Sequence, residues 1–292
     1  MAQRTWCILK SALLATAMSA ASALSLPVAA EPVTVKQLKA HTHVHGLAVD
    51  RKKPGKLLIA THHGLFRSGP DGQAELISPV QDFMGFTPDP SGPDRLYASG
   101  HPAGGGNLGF IASADNGATW TQVSPGVDGP VDFHQLTVSP ADPAVVYGAY
   151  GALQTSRDAG KTWSAVGPLP DRLIDLAASA KDPDTLYAAS EGGLSVSRDG
   201  GKSWEPVLEG VPVSLAEIAP DGSLYAFVLG RGLVRASEAD LEFTTVAADW
   251  GDKVLLHMAV DPQDSRRMFA ASTDGEIFAS SDGGSTWSDF GE

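Results

Sequence analysis

The stretch Ser197-Arg-Asp-Gly-Gly-Lys-Ser-Trp204, "SRDGGKSW", decides the fold because the chain repeats it. Similar stretches begin at Ser113 ("SADNGATW"), Ser156 ("SRDAGKTW") and Ser280 ("SSDGGSTW"). Intervals of 43, 41 and 83 residues separate their aspartates, which are Asp115, Asp158, Asp199 and Asp282. The last interval covers two repeats, and weaker copies occur in "RASEADLEFTTV" (residues 235–246) and "FRSGPDGQAEL" (residues 66–76). Six units of about forty residues result, the length of a four-stranded propeller blade.

Each unit also begins with the same strand pattern. An apolar strand such as "VHGLAVDR", "FHQLTVSP" or "LIDLAASA" is followed by a turn rich in Pro and Asp, and then by a second apolar strand such as "KLLIAT" or "TLYAAS". Glycine turns lead to a third strand, and the repeated stretch precedes a fourth. Short strands separated by regular turn signals predict an all-β fold.

The pattern S-x-D-x-G-x-[TS]-W resembles the Asp-box (BNR) repeat of sialidases, sortilin-type receptors and exported bacterial propellers. The resemblance covers nearly all of residues 31–292 and implies a six-bladed β-propeller. It also implies that the aspartates Asp115, Asp158, Asp199 and Asp282 are structural. We expect each to accept hydrogen bonds from turn amides, beside a glycine with positive φ and a tryptophan packed between blades.

Residues 1–30 are typical of a secretory signal peptide. Arg4 and Lys10 flank the start of a short apolar run rich in small residues, and "PVAA" ends at Ala30. We therefore expect a periplasmic or secreted monomer. Cys7 lies inside this segment and is the chain's one cysteine, so the mature protein has no disulfide or thiolate site. The net charge of −13 argues against nucleic acid and anionic membranes as partners.

The histidines suggest a metal site. All eight fall at the starts of first strands or the ends of second strands, which meet at one end of a propeller, called here the top. Aligning the first strands by their apolar residues puts His45, Met84 and His134 at one position, with His43, Asp82 and Asp132 two residues earlier. Imidazole with thioether favours copper, whereas imidazole with carboxylate also suits zinc. We predict metal handling or sensing through His43, His45, His63, Met84, His101 and His134, with His41, His62 and His257 as second choices.

Two other functions remain open. The Asp-box resemblance also implies a sialidase-like glycoside hydrolase, but only Arg172 and Arg231 are expected at the top, and sialidases use three arginines there. Other hydrolases need two carboxylates, and the spacing of the available acids selects no pair among Asp82, Asp132, Asp175, Glu191 and Glu217.

The third function is a propeller that binds a partner protein, as in sortilin-like or photosystem assembly propellers. Trp250 and Tyr150 are then the expected anchors on the top face. At the start of the mature chain, "PVTVKQL" (residues 32–38) is expected to form an outer strand that pairs with the last blade.

Overall fold

A computed structural model describes residues 33–291 as six antiparallel sheets. The predicted signal peptide, residues 1–30, lies outside the described residues. Within residues 33–291, no helix is long and apolar enough to cross a membrane.

Each sheet is one repeat of four strands that pair in chain order, and blade 1 has a fifth strand at its outer edge. Blade 1 contains β1 (Val33–Thr34), the helix α1 (Val35–His41), β2 (Val44–Val49), β3 (Leu57–Thr61), β4 (Gly64–Ser68) and β5 (Gln73–Leu76). Blade 2 contains β6 (Met84–Pro88), β7 (Leu96–Ser99), β8 (Phe110–Ser113) and β9 (Thr121–Ser124). Blade 3 contains β10 (Gln135–Val138), β11 (Val146–Tyr150), β12 (Ala152–Ser156) and β13 (Ser164–Gly167).

The second half repeats this order. Blade 4 contains β14 (Leu173–Ala178), β15 (Leu186–Ser190), β16 (Gly193–Ser197) and β17 (Glu205–Glu209). Blade 5 contains β18 (Val213–Ile218), β19 (Ser223–Val228), β20 (Gly232–Ser237) and β21 (Thr244–Ala247). Blade 6 contains β22 (Leu255–Val260), β23 (Met268–Ser272), β24 (Ile277–Ser280) and β25 (Ser288–Asp289).

The innermost strands form a closed ring. They contact one another in the order β2, β6, β10, β14, β18 and β22, and β22 contacts β2 again. Apolar residues of neighbouring blades fill the spaces between sheets; Leu47 of blade 1, for example, shares a cluster with Phe269 of blade 6. The prediction of a six-bladed, all-β propeller is confirmed.

The start of the described chain differs from the prediction. Val33–Thr34 pairs with β5 in blade 1 and not with the last blade, and the chain then turns into α1. Thr34 caps this helix, because its hydroxyl accepts from the Gln37 amide and the Gln37 side chain accepts from the Thr34 amide. The prediction therefore had the wrong partner blade, and it missed the helix, in which His41 is the last residue.

The repeated stretch forms the turn between the third and fourth strands. In blade 4, the Ser197 hydroxyl donates to Asp199 Oδ1 (2.8 Å) and accepts from the Gly201 amide (2.8 Å). Asp199 also accepts from the Ser203 hydroxyl and amide, and these hydrogen bonds hold the pKa of its carboxyl well below its usual range. Gly201 has φ +90°, and a Cβ there would lie 2.0 Å from Leu153 in blade 3. The stretch therefore fixes a turn and seats it against the preceding blade.

We expect Ser197→Ala to lower the free energy of unfolding by about 1–3 kcal/mol, because it leaves the buried Gly201 amide without a hydrogen-bond acceptor. Ser237→Ala is the matched control: Ser237 begins the weak copy in blade 5, is exposed, and should change stability by about 0.5 kcal/mol or less. Urea denaturation measures both. Equal effects of the two changes would contradict a structural role for the complete repeat.

Candidate metal centre at the top of the propeller

The strand pairing shows which top residues are equivalent. The residue directly after each first strand donates its amide to the carbonyl of the residue directly before the second strand; Asp50, Asp89 and Ser139 do so in blades 1 to 3. Counting five residues back from these gives His45, Met84 and His134, as the sequence predicts. The count therefore aligns these three residues along the chain, although their pairing differs: Met84 pairs with Ser99, and His134 directly precedes β10.

His257 lies deeper than this position. The equivalent end residue of blade 6 is Asp261, so His257 is only four residues before it. The imidazole lines the central channel and its Nε2 donates to the Val44 carbonyl across the join between blades 6 and 1 (3.2 Å). Burial lowers the pKa of His257 to about 4. It is therefore a neutral residue of the channel wall.

His45 is an extra residue in the β2–β3 ladder. Val44 pairs with Thr61 and Gly46 pairs with Ala60, so His45 is the residue left over at a β-bulge. A bulge re-aims a side chain away from the regular alternation of a strand. Here it sends the imidazole toward the turn after β3 and the start of blade 2.

His45 meets His62 and Asp82 there. His45 Nε2 lies 3.1 Å from His62 Nδ1, and His62 Nδ1 lies 2.9 Å from Asp82 Oδ2. His45 Nε2 is 4.0 Å from Asp82 Oδ1, and one ligand atom from each of the three residues lies within 4.8 Å of the others. Among residues 33–291, this is the one group of three or more His, Cys, Asp or Glu side chains that meets this distance.

Two features of this group suit metal ligands. Burial, followed by repulsion from His62, His257, His43 and His134, lowers the pKa of His45 to about 3. The ring is therefore neutral at physiological pH, the form that binds a metal. Asp82 Oδ1 is buried and has no hydrogen-bond partner, which is costly for a carboxylate oxygen.

The other predicted residues lie around this group. His43 is exposed, with its ring centroid 5.4 Å from that of His62. His63 is exposed, and its backbone amide donates to Thr61 Oγ1. Met84 is 8% exposed. From the sequence, His62 is a second choice and Asp82 is one of several candidate carboxylates; neither the repeat spacing nor the apolar pattern indicates that they contact each other.

His101 and His134 belong to a separate group. Asp132 Oδ2 lies 3.0 Å from His101 Nε2 and 2.8 Å from His134 Nε2. The hydrogen bond with Asp132 raises the pKa of His134, and the charges of Asp132 and Asp82 add to this effect. Two separate histidine–aspartate groups therefore stand side by side at the top.

The channel below the mouth holds a pair of acids. The cavity has a volume of about 410 Å³ and largely aliphatic walls, with Asp175 and Glu217 on neighbouring blades. Asp175 accepts from the Leu176 and Ala216 amides, but burial still raises its pKa to about 7. Burial and the charge of Asp175 raise the pKa of Glu217 to about 8. Both acids had been considered from the sequence, whose spacing could not select them as a pair.

The two residues expected to bind a partner protein differ in their exposure. Trp250 is 9% exposed and packs between Phe227, Phe278 and Trp287, so its expected role as a surface anchor is wrong. Tyr150 is 45% exposed, and its hydroxyl accepts from Asn107 Nδ2 (3.1 Å). Its role as an anchor stays a prediction.

Comparisons with known proteins agree on the fold. The BNR/Asp-box repeat family matches residues 154–165, and no curated protein matches the chain. A GH74 xyloglucanase from Xanthomonas campestris has a similar structure, with a TM-score of 0.60 and 21% identity over 85% of this chain and 45% of its own. A GH74 enzyme from Niastella koreensis gives a TM-score of 0.59 and 18% identity over the same shares, 85% and 45%.

The chain therefore spans less than half the length of these two enzymes. YCF48 from Cyanidioschyzon merolae is matched over 85% of this chain and 84% of its own, with a TM-score of 0.52 and 15% identity. At these identities the likeness concerns the fold. The repeats, the closed ring of sheets and the family match together identify the chain as a six-bladed β-propeller built from Asp-box (BNR) repeats.

Proposed function

We propose that the top of the propeller binds a transition-metal ion through His45, His62 and Asp82, and that the protein handles or senses copper. The observation that carries this proposal is the convergence of three ligand atoms from three separate segments of the chain. A hydrogen-bonded group without a metal would leave Asp82 Oδ1 buried and unpaired. A cation beside that oxygen would compensate its charge.

The donor set limits the choice of metal. Two imidazoles and a carboxylate suit Cu(II) and Zn(II), and an N/O site of given geometry generally binds Cu(II) more tightly. His43, whose ring centroid lies 5.4 Å from that of His62, would supply a third imidazole. Met84 would add a soft thioether suited to Cu(I), and its participation stays a prediction.

The predicted signal peptide and the acidic surface fit a role outside the cytoplasm. An exported chain that binds copper would meet the ion in the periplasm or outside the cell, where metal handling or sensing does not require catalysis. We propose that it acts there as a monomer, with a periplasmic partner protein as a further possibility for the top face.

We expect the mature protein to bind one equivalent of Cu(II) or Zn(II) at the His45 group, measured by isothermal titration and by metal analysis after gel filtration. His62→Ala should weaken this binding by more than about 100-fold, since even the partners of metal ligands contribute 10–100-fold. Asp82→Asn should act in the same direction because it removes the anionic ligand.

His41→Ala is the matched control, because this exposed histidine ends α1 and lies outside the group. Unchanged uptake in both His62→Ala and Asp82→Asn would refute the site. A competition between Cu(II) and Zn(II) identifies the metal: zinc retained under equimolar copper would contradict the copper assignment.

The acid pair in the channel favours a second candidate, a glycoside hydrolase. Such enzymes use two carboxyl groups, one of them held protonated near neutral pH by its surroundings. Glu217 has that property, and two of the similar structures are GH74 enzymes, one of them a xyloglucanase. This candidate predicts turnover of xyloglucan oligosaccharides or aryl glycosides that is lost in Glu217→Gln.

The same variant has a pH-dependent effect on stability. A carboxyl whose pKa rises on folding, here from 4.5 to about 8, loses folded stability as the pH increases through that range. Glu217→Gln removes this cost, so it should be more stable than wild type by about 4 kcal/mol at pH 8, with the difference vanishing below about pH 4. Denaturation at several pH values measures this effect, with exposed Glu242→Gln as the control. A constant difference across pH would contradict a protonated Glu217.

A further inference from the structure

We propose that the central channel binds an organic ammonium ion, with its charged nitrogen between Asp175 and Glu217 and its alkyl part against the aliphatic wall. The site uses none of the residues of the His45 group. It therefore goes beyond the metal binding proposed above, and it gives the acid pair a role other than hydrolysis.

The channel has the size and lining of a ligand site. Its volume of about 410 Å³ lies within the range of roughly 300–1,000 Å³ that is usual for small-molecule sites. All six innermost strands contribute to its wall, with aliphatic side chains such as Leu47, Leu136 and Leu176. Residues that follow the first strands, at the end of the ring opposite the top, also line it; they are Arg51, Pro90, Pro140, Ala180, Pro220 and Pro262. The four prolines are exposed, so a ligand can enter from this end.

The two acids lack a cationic partner. The titratable side chains that line the channel are Arg51, Asp175, Glu217 and His257. The Arg51 guanidinium donates to the Asp89 and Gly92 carbonyls instead. His257 donates to the Val44 carbonyl, and burial lowers its pKa to about 4, so its ring is neutral. Within the described part of the chain, neither side chain forms an ion pair with the acids.

The two acids lie on neighbouring innermost strands, β14 and β18. One Asp175 oxygen accepts from the Leu176 amide (2.9 Å), and the other accepts from the Ala216 amide (3.0 Å), directly before Glu217. The Glu217 carboxyl, in contrast, has no hydrogen-bond partner among residues 33–291. Glu217 is partly accessible and lines the channel, so an unpartnered carboxyl faces the cavity beside a second acid.

This lining fits an organic cation better than a metal ion. The ligand atoms of Asp175, Glu217 and His257 do not come within the distance that the His45 group meets. An ammonium group has three hydrogen-bond donors, enough to reach both carboxylates. An attached alkyl chain would also cover the aliphatic wall, which a bare ion would leave in contact with water.

The protonation of the acids is compatible with such a ligand. Burial raises the pKa of Asp175 to about 7, and burial together with the charge of Asp175 raises the pKa of Glu217 to about 8. Both acids therefore hold protons that are easily displaced near neutral pH. An ammonium ion would supply positive charge in place of a proton and would donate hydrogen bonds to the carboxylates.

The test uses n-hexylamine as the probe, with 1-hexanol, which has the same chain and no charge, as its matched control. At pH 8 the mature protein should bind hexylamine at least about tenfold more tightly than hexanol, measured by isothermal titration. Hexylamine stays charged well above neutral pH, as lysine does. Its binding should therefore release protons, and its affinity should rise by up to about tenfold between pH 6 and pH 7.

Variants assign the binding to the acid pair. Glu217→Gln should remove the preference for hexylamine over hexanol, whereas exposed Glu242→Gln should keep it. Urea denaturation checks the fold of each variant, and Asp175→Asn serves as a second variant if Glu217→Gln is unstable. His62→Ala should keep the preference, because this inference does not depend on the metal site.

Three results would overturn the proposal. The first is equal affinity of wild type for hexylamine and hexanol. The second is a preference for hexylamine that Glu217→Gln keeps. The third is turnover of aryl glycosides that Glu217→Gln abolishes, without any preference for hexylamine, which would assign the acid pair to hydrolysis.

Discussion

A propeller has one constraint that its sheets cannot satisfy by themselves: the inner edge of each first strand faces the axis, with no strand to pair with. In several blades, polar side chains reach from one inner strand to the backbone of the next. Within residues 33–291, four such links occur: Thr137 accepts from the Ala178 amide, Asp175 accepts from the Ala216 amide, Ser214 donates to the Leu255 carbonyl and His257 donates to the Val44 carbonyl. These links join blades 3 to 4, 4 to 5, 5 to 6 and 6 to 1.

This constraint divides the polar residues near the axis into two classes. Asp175 and His257 satisfy backbone groups of the neighbouring blade, so their presence follows from ring closure. Blades 1 and 2 instead place Gly46 and Gly85 where the next inner strand approaches closely, and a Cβ on Gly85 would lie 2.4 Å from the Phe133 carbonyl oxygen. His45, directly before Gly46, contacts the His62 side chain and not a backbone group of the neighbouring blade. It is therefore available to bind a ligand, unlike His257, although the two histidines looked alike in the sequence.

The repeat period predicted the blades, their strands and the equivalence of His45, Met84 and His134, because spacing and apolar pattern fix backbone position. The repeat period did not predict the directions of the side chains. His45 is a bulge residue, so strand alternation could not give its orientation, and His62 lies in the turn after β3, where no strand alternation applies. For the same reason, the sequence could not predict that His45 and His62 contact Asp82. Trp250 looked exposed because it lies outside a complete repeat, yet it fills the space between blades 5 and 6.

The helix α1 contributes to closure of the ring between blades 6 and 1. Five of the six blade interfaces join consecutive repeats, whereas the contact of β22 with β2 brings together segments about 200 residues apart and carries the entropy cost of closing that loop. Val35 and Leu38 of α1 pack in the cluster that spans this interface, and Lys39 pairs with Glu276 at 2.8 Å. The short helix α1 therefore stabilises the interface between blades 6 and 1. It does so through side-chain contacts, whereas a strand exchanged between the two blades would do so through backbone hydrogen bonds.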